Sequence, residues 1–274
     1  MVFMSELSNI LEVYNDTYTN PANVCIYCGK TENLTNEHII PYGLNGRIIF
    51  PSSSCTDCNK ITSLFEEKVL RGFMLDARTV GNFRTRRPKK RPKTISYKIT
   101  QDKEGEMISI PSSEAPGFLH LPILAPCSLL NGTSPVAGVT ILGNETILFG
   151  KSPQETAEKF GIKTLRQRVN FDLTAFVRMI AKIGYSFAVS QIGVFPFNES
   201  PVISLILGKS DDGSTWVGSA DYRLPLEDKK PQHALGMDLY RSSDEELLVA
   251  RVKLFADVGA TGYEIVVRKR QIFV

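Results

Sequence analysis

Two cysteine pairs place the strongest constraint on how this chain folds. Cys25 and Cys28 form the first Cys-x-x-Cys pair, Cys55 and Cys58 form the second, and 26 residues lie between the pairs. Each Cys-x-x-Cys turn presents two thiolates to one ion, and two such turns complete the tetrahedral four-sulfur shell of a structural Zn²⁺. We therefore predict a structural zinc site rather than four unrelated buried cysteines or a redox pair.

The remaining bulk features indicate a chain that stays in a reducing compartment. Five cysteines are too few for a disulfide-dense secreted scaffold. Glu6 and Glu12 interrupt the N-terminal segment, which has neither the basic region nor the apolar run of a signal peptide. No stretch approaches the ~18 apolar residues of a membrane span. We expect a cytoplasmic protein without a membrane, in which Cys127 is a small buried residue.

Length and charge distribution predict two domains. A chain of 274 residues exceeds the typical size of one domain, and 42% hydrophobic with 22% charged residues is typical of globular proteins. The net charge is only +3, but seven of the ten residues 84–93 are Lys or Arg, with two prolines among them. We place the boundary there, with a first domain at 1–78, a basic linker at 79–98 and a second domain at 99–274.

The apolar patterns predict helices and strands in both parts. We expect a short helix in residues 7–14 and a longer one from Asn59, directly after the second cysteine pair. Ser152 and Glu155 have the spacing of a capping box at the start of another helix. A central buried helix is predicted in FDLTAFVRMIAKIGYSFAV, and strands are predicted in TILFG, VISLILG, LLVARVKLFAD and YEIVVRKR. The second domain is therefore expected to be α+β.

A carboxylate, an imidazole and an amide lie inside or directly beside the zinc loop. Glu37 and His38 fall between the cysteine pairs, and Asn59 follows Cys58. An isolated Glu-His pair is weak evidence for a site, but a zinc ion that joins the two cysteine pairs fixes both ends of the segment between them. We expect the three side chains to converge.

These motifs, taken in order, resemble a known family. Cys-x-x-Cys, Glu-His-Ile-Ile-Pro, a glycine-containing turn at 43–46 and Cys-x-x-Cys-Asn resemble the HNH endonucleases whose ββα-metal core is braced by a four-cysteine zinc site, over roughly residues 23–75. The resemblance implies two antiparallel strands and a helix around one divalent ion. It also implies that Glu37 and Asn59 are ligands of that ion and that His38 is the general base. The expected fold is α+β, with this module followed by a larger domain.

The residue types suit phosphodiester hydrolysis. Imidazole has an ordinary pKa of ~6.5, so a neutral His38 can accept a proton from water near pH 7. Mg²⁺ or Mn²⁺ prefers oxygen ligands and retains several waters, which leaves room for the scissile phosphate beside one carboxylate and one amide oxygen. The family implies products with 5′-phosphate and 3′-hydroxyl ends.

The chain departs from the family pattern in two places. The family's middle Asn would fall in residues 50–53, Phe-Pro-Ser-Ser, where a serine hydroxyl is the candidate substitute that orients the base. Ser63 stands one helical turn after Asn59 and Glu66 a further turn on, and we expect them in the outer shell of the ion, through water. The alternative is that Ser63 and Glu66 form the capping box of a helix that begins later.

The basic residues on and after this helix are candidates for nucleic-acid binding. Lys and Arg neutralise phosphates without reading base sequence. Aromatic residues are not interleaved with the tract, which favours the duplex backbone over stacked single-stranded bases. The alternative is a solvated linker. The candidates are Arg71, Arg78, Arg84, Arg86, Arg87, Lys89, Lys90, Arg91 and Lys93.

Function is therefore predicted as a metal-dependent DNA endonuclease, with defence against foreign DNA as one use. The alternative is a non-catalytic zinc ribbon that binds nucleic acid or a protein, and an RNA substrate is a third hypothesis. The second domain carries no chemistry that the sequence identifies, so we expect it to recognise a target, a partner or a regulatory signal. A protein partner or a second copy of the chain is the partner expected for it. Of the two other histidines, we expect His120 to be a core or surface imidazole and His233 to be solvated in a polar loop.

Overall fold

The computed structural model describes residues 2–3, 15–100, 104–135, 137–167, 169–220 and 231–272. The strands in these ranges are β1 (Val2–Phe3), β2 (Thr17–Tyr18), β3 (Leu34–His38), β4 (Ile48–Cys55), β5 (Thr94–Thr100), β6 (Glu104–Pro111), β7 (Pro116–Leu124), β8 (Ile141–Gly150), β9 (Leu165–Arg166), β10 (Val217–Ala220), β11 (His233–Arg241), β12 (Glu245–Leu254) and β13 (Gly262–Gln271). The α-helices are α1 (Thr56–Arg71), α2 (Leu75–Val80), α3 (Ser128–Asn131), α4 (Pro153–Phe160), α5 (Leu173–Ile192), α6 (Val202–Ile206) and α7 (Gly213–Trp216). This mixture confirms the predicted α+β class.

The N-terminal module is a pair of strands followed directly by a helix. β3 and β4 are antiparallel, and His38 at the end of β3 lies opposite Ile49. The short strand β2 pairs with β4 in parallel. Helix α1 begins at Thr56, immediately after Cys55 ends β4, and contacts both β3 and β4. These elements form the ββα arrangement that the sequence predicts.

A five-stranded antiparallel sheet forms the centre of the larger part, in the order β1-β11-β12-β13-β10. Helix α5 packs closely against this sheet because it carries a glycine at the contact. A Cβ atom on Gly184 would lie 3.0 Å from Ile265 Cδ1 and 3.1 Å from Ala250 Cβ. Helix α5 also contacts α1. It therefore lies between the sheet and the N-terminal module.

Helix α5 is a core helix by its burial. It is long and apolar enough to cross a membrane, but 78% of its most apolar window is buried inside the protein. Every residue from Ala175 to Val189 is buried except Arg178, which is partly exposed. The predicted central buried helix is confirmed.

Two smaller sheets complete the fold, a three-stranded sheet in the order β6-β5-β9 and a β7-β8 hairpin. Ile95, Tyr97, Ile110 and Ile162 form a second small core beside them. Helix α2 contacts β7 and β8, and thereby joins these sheets to the end of the N-terminal module.

One hydrophobic core is shared by the two parts of the chain. Phe65 of α1 belongs to the same buried cluster as Phe176 of α5 and the residues of the large sheet. The predicted boundary after residue 78 falls inside α2, and residues 94–98 of the predicted linker belong to β5. The division into domains stays a prediction, and packing joins the two parts.

Most of the predicted elements are present. The capping box of α4 is confirmed, since Ser152 Oγ accepts from Glu155 N at 3.1 Å and Glu155 Oε2 accepts from Ser152 N at 2.9 Å. Helix α1 is confirmed, although it begins at Thr56, before the expected start. TILFG lies in β8, and most of LLVARVKLFAD and all of YEIVVRKR lie in β12 and β13.

One predicted strand is wrong, because VISLILG contains the short helix α6. A brief apolar run carries no periodicity that separates a buried strand from a buried helix. Contacts of α6 with α5 and β13 determine the outcome. The helix predicted in residues 7–14 lies outside the described residues.

Candidate functional site

The four predicted zinc ligands converge at one end of the N-terminal module. Their sulfur atoms all lie within 4.8 Å of one another. Cys25 and Cys28 occupy a turn, in which Gly29 N donates to Cys25 O at 2.9 Å, whereas Cys55 ends β4 and Cys58 lies in the first turn of α1. Zn–S bonds of about 2.3 Å in a tetrahedron separate the sulfurs by about 3.8 Å. The cluster therefore fits one tetrahedral zinc ion.

Burial makes a thiolate at Cys25 dependent on a cation. Cys25, Cys55 and Cys58 are buried, whereas Cys28 is exposed. Burial raises the pKa of the Cys25 thiol to about 11, so its thiolate is unstable near neutral pH without a bound metal. Zinc binding at this site would thus supply folding free energy directly.

The carboxylate of Glu37 is enclosed by α5 and by the turn from Cys25 to Cys28, which we call the zinc turn. Glu37 is 3% exposed, and Tyr27, which lies between the two cysteines of the first pair, donates its hydroxyl to both carboxylate oxygens at 2.9 Å. Lys182 Nζ lies 3.1 Å from Glu37 Oε1. Burial raises the pKa of Glu37, and the ammonium of Lys182 opposes this rise. The zinc turn therefore helps to position a residue of the predicted catalytic site.

Lys182 of α5 is a site residue that the sequence prediction missed. It is 2% exposed, its Nζ lies 2.9 Å from Glu66 Oε1, and it donates to the backbone oxygens of His38 and, at 3.3 Å, Ile39. Burial lowers the pKa of Lys182, but the negative charges of Glu37 and Glu66 outweigh this effect, and the pKa is raised overall. The available sequence signal was one lysine inside the apolar stretch FVRMIAKIGYSFAV, because a buried lysine requires acidic partners.

His38 is half-buried at the end of β3. Its ring meets the ring of Tyr42 edge-on, with 5.4 Å between the centroids. Burial, followed by the charges of Lys182 and Arg86, lowers the pKa of His38 to about 4. The imidazole is therefore neutral at pH 7, which is the state that a general base requires.

Residues 50–53 stand where the family has its middle Asn. The hydrogen bonds of Ser52 and Ser53 go to residues other than His38. Ser53 Oγ donates to Phe50 O at 2.7 Å, and Ser52 N donates to the side chain of Asn36 at 3.2 Å. The Ser53 hydroxyl is engaged within its own strand. The predicted serine substitute for the orienting Asn is therefore not supported by these contacts.

Asn45 instead fixes the loop between β3 and β4. It adopts φ 64°, and its side chain donates to Gln232 Oε1 at 3.1 Å and accepts from Arg84 N at 2.8 Å. Asn adopts the left-handed backbone conformation more readily than most residues. Both the nitrogen and the oxygen of its side-chain amide form hydrogen bonds. Sequence reasoning passed over this residue because its partners lie far away along the chain.

Asn59, Ser63 and Glu66 line one face of α1. Ser63 Oγ donates to Asn59 Oδ1 at 3.4 Å. Since α1 begins at Thr56, Ser63 lies inside the helix, and the capping-box alternative for Ser63 and Glu66 is wrong. Glu66 Oε1 is buried and pairs with the Lys182 ammonium at 2.9 Å.

These groups open onto one cleft of about 540 Å³. The predicted catalytic residues line its floor, and arginines that include the first part of the basic tract line its wall. The floor residues are Glu37, His38, Asn59, Ser63, Glu66 and Lys182, and the cationic wall residues are Arg71, Arg78, Arg84, Arg86 and Arg87. A polyanion that entered this cleft would lie against the predicted general base.

Two of the predicted nucleic-acid-binding arginines also hold the module together. Arg78 donates to Gly43 O at 2.7 Å and to Leu70 O at 2.5 Å, and burial lowers its pKa to about 10. Arg84 pairs with Asp16 at 2.6 Å. These contacts explain why the basic tract turns back over the cleft.

The other basic residues are more accessible. Arg71 is exposed and pairs with Glu67 at 2.6 Å, and Arg86 and Arg87 are exposed at the cleft. Arg91 bonds to Asn82 and to the backbone of Phe83, and Lys89, Lys90 and Lys93 are exposed beyond the cleft. A second hollow of about 470 Å³ adjoins the cleft, and its cationic lining is Arg71, Arg78, Arg87, Lys90 and Arg91.

The other two histidines lie outside this cleft. The prediction that His233 is solvated in a loop is wrong, because it begins β11, with Nε2 2.6 Å from Leu44 O and Nδ1 accepting from Phe255 N at 3.2 Å. Burial lowers the pKa of His233 to about 4. His120 lies on β7, where Nδ1 is 3.1 Å from Thr146 Oγ1.

Comparison with known families supports the geometry. Residues 25–72 match the model of the HNH endonuclease family, from the first zinc cysteine to the end of α1. A search of curated proteins and a search of solved structures found no match. The ββα elements and their cysteine cluster thus form an HNH module, which a larger domain follows, and the family indicates a nuclease-type function in general.

Proposed function

We propose that the protein is a metal-dependent endonuclease that hydrolyses DNA phosphodiester bonds. The observation that carries the proposal is the cleft itself, which neutral His38 and the oxygen donors Asn59 and Glu66 line together with the arginine wall. Each part of phosphodiester hydrolysis is thereby matched by a group that can perform it. The match of residues 25–72 to HNH endonucleases supports the same assignment.

The oxygen donors in the cleft fit a hard divalent ion. Glu66 Oε1 is a buried acceptor that pairs with the Lys182 ammonium, and Glu37 and Asn59 line the same cleft. Glu37 and Asn59 would hold Mg²⁺ or Mn²⁺, with Ser63 and Glu66 in its outer shell through water. The bound ion would stabilise charge on the phosphate and on the leaving oxygen.

His38 would act on the attacking water. Because its pKa lies near 4, the ring is already neutral and accepts a proton through a ring nitrogen. The backbone of His38 is held on both sides, by Ile49 across the sheet and by Lys182 at its carbonyl oxygen. These contacts fix the strand end that carries the base, and a fixed base needs less reorganisation when the substrate binds.

The arginine wall would bind the substrate backbone. Arg86 and Arg87 are exposed, and Lys90 continues the positive surface into the adjoining hollow. Contacts of this type neutralise phosphates in any sequence, which suits duplex DNA bound through its backbone. We also propose that the larger domain selects the target, a protein partner or a second copy, as in a cytoplasmic defence against foreign DNA.

One observation favours a second candidate function, a zinc ribbon that binds nucleic acid without cutting it. Glu37 already has a cation, the ammonium of Lys182 at 3.1 Å. If this pairing excludes the divalent ion, the module retains its zinc and its arginine wall but loses its catalytic metal.

Incubation of zinc-loaded protein with supercoiled plasmid separates the two functions. Mg²⁺ or Mn²⁺ should yield nicked or linear plasmid, and EDTA added after purification should prevent it. A matched RNA substrate in the same buffer tests the RNA hypothesis. Binding of plasmid without any cut, at every divalent ion concentration, would favour the ribbon.

A further inference from the structure

Lys182 brings a buried positive charge from the larger domain into the HNH module. Its ammonium lies 3.1 Å from Glu37 Oε1 and 2.9 Å from Glu66 Oε1, and the side chain is 2% exposed. It also donates to the backbone oxygens of His38 and Ile39, so four acceptors surround it. One ammonium thus forms ion pairs with two carboxylates at the place where the divalent ion is proposed to bind.

We propose that Lys182 is an internal counter-ion that competes with the divalent ion for Glu37 and Glu66, so that α5 sets the metal affinity of the site. The inference rests on the proposed function, since it concerns the same metal. With Lys182 charged, the two carboxylates and the ammonium carry a net charge of about −1. Without it they carry about −2, which attracts a divalent cation more strongly.

The two carboxylates are held unequally. Glu37 accepts hydrogen bonds from Tyr27 at 2.9 Å and is 3% exposed, so it is fixed. Glu66 Oε1 pairs with the ammonium at 2.9 Å, but Tyr27 does not hold it, and its side chain is 20% exposed. Glu66 is therefore the carboxylate that an incoming ion draws away from Lys182 more easily.

The position of the ammonium depends on the packing of α5. Gly184, two residues further on, lies against the large sheet without space for a side chain, since a Cβ atom there would meet Ile265 Cδ1 at 3.0 Å. The opposite side of α5 contacts α1. A shift of α5 would therefore move Lys182 relative to Glu37, which links metal binding to the larger domain.

Mn²⁺ binding to zinc-loaded protein tests the inference without an activity assay. Free Mn²⁺ is followed by electron paramagnetic resonance during a titration. Lys182→Met and Lys182→Gln should both raise Mn²⁺ affinity by at least about tenfold, because the repulsion between a double and a single charge at about 5 Å is worth that much even in the dielectric of water. Lys182→Arg keeps the charge and should bind as the wild type does.

Lys159→Met is the matched control, because Lys159 forms a pair with Glu114 at 2.8 Å and neither residue lines the cleft. Its Mn²⁺ affinity should be unchanged. If the two neutral variants are unfolded without metal, refolding by Mn²⁺ supports the competition, and failure of Mn²⁺ to refold them contradicts it. Unchanged or weaker Mn²⁺ binding in folded Lys182→Gln overturns the inference.

Failure of this inference is distinguishable from failure of the proposed function. Wild-type protein that cuts plasmid while Lys182→Gln binds Mn²⁺ no more tightly leaves the nuclease standing and removes the competition. Wild-type protein that binds Mn²⁺ but never cuts nucleic acid removes the nuclease, whatever the lysine variants do.

Discussion

Replacement of Cys58 by serine tests whether zinc holds the N-terminal module together. Cys58 is buried in the first turn of α1, and its sulfur lies within 4.8 Å of the three other cysteine sulfurs. A serine hydroxyl is a poor zinc ligand at neutral pH, so the variant should lose the ion. We expect Cys58→Ser to contain well under one zinc per chain and to have an unfolded or collapsed module.

The expected loss is large compared with the stability of a whole domain. Structural zinc contributes an apparent ~10–16 kcal/mol in small zinc modules, whereas complete domains are stable by only ~5–15 kcal/mol. The damage should also spread, because Tyr27 in the zinc turn bonds Glu37, and Phe65 of α1 shares a core with Phe176 of α5. Loss of the ion should therefore lower the unfolding temperature of the larger domain as well.

Zinc measured by mass spectrometry, together with thermal unfolding, provides the assay. Cys127→Ser is the matched control, since Cys127 is buried outside the cluster and donates to Thr215 O at 2.9 Å. It should keep one zinc per chain. A wild-type protein that is folded without stoichiometric zinc, or a Cys58→Ser protein that unfolds like the wild type, would refute the reasoning.

Three further predictions concern binding, pH and packing. Combined Arg86→Gln and Arg87→Gln should reduce the salt dependence of duplex binding by a slope of about 2, measured by fluorescence anisotropy, whereas exposed Lys163→Gln should leave it unchanged. His233 has a folded pKa of about 4, below its unfolded value, so its contribution of up to about 3 kcal/mol is complete above pH ~6.5 and disappears as the pH falls towards 4. His233→Gln should therefore reduce the loss of unfolding free energy between pH ~6.5 and 4, measured by urea unfolding. A loss as steep as that of the wild type would contradict this prediction. Gly184→Val should lower the free energy of unfolding by about 1–3 kcal/mol through overpacking against the sheet, and a neutral effect would contradict the close approach.

The sequence was sufficient to predict those features that residues close together in the chain determine. The spacing of Cys25, Cys28, Cys55 and Cys58 predicted a cluster, because a Cys-x-x-Cys turn determines its own geometry within four residues. The capping box of α4 and the long apolar face of α5 were predictable for the same reason. Each of these features depends on neighbours within a few helical turns.

The rest of the site depends on contacts between distant parts of the chain. Lys182 reaches His38 across 144 positions, and Asn45 reaches Gln232 across 187. A single sequence contains no signal for which distant residues pair. The Lys182 contact arises from the packing of α5 against the module, and the Asn45 contact from the residue that precedes β11. VISLILG became a helix for a related reason, since its neighbours rather than its own pattern determine its structure.

Plasmid cleavage by His38→Ala tests the central claim most directly. His38 is neutral at pH 7 and contacts neither the cysteine cluster nor the arginine wall through a hydrogen bond that the described residues form, so its removal should spare both. We expect cleavage to fall by about 10²–10⁴-fold with zinc content and DNA affinity near wild-type values, while His120→Ala, a histidine outside the cleft, cuts normally. Raising Mg²⁺ or Mn²⁺ should not restore the lost rate. A His38→Ala protein that cuts plasmid at the wild-type rate would contradict the account and move the catalytic centre away from this cleft.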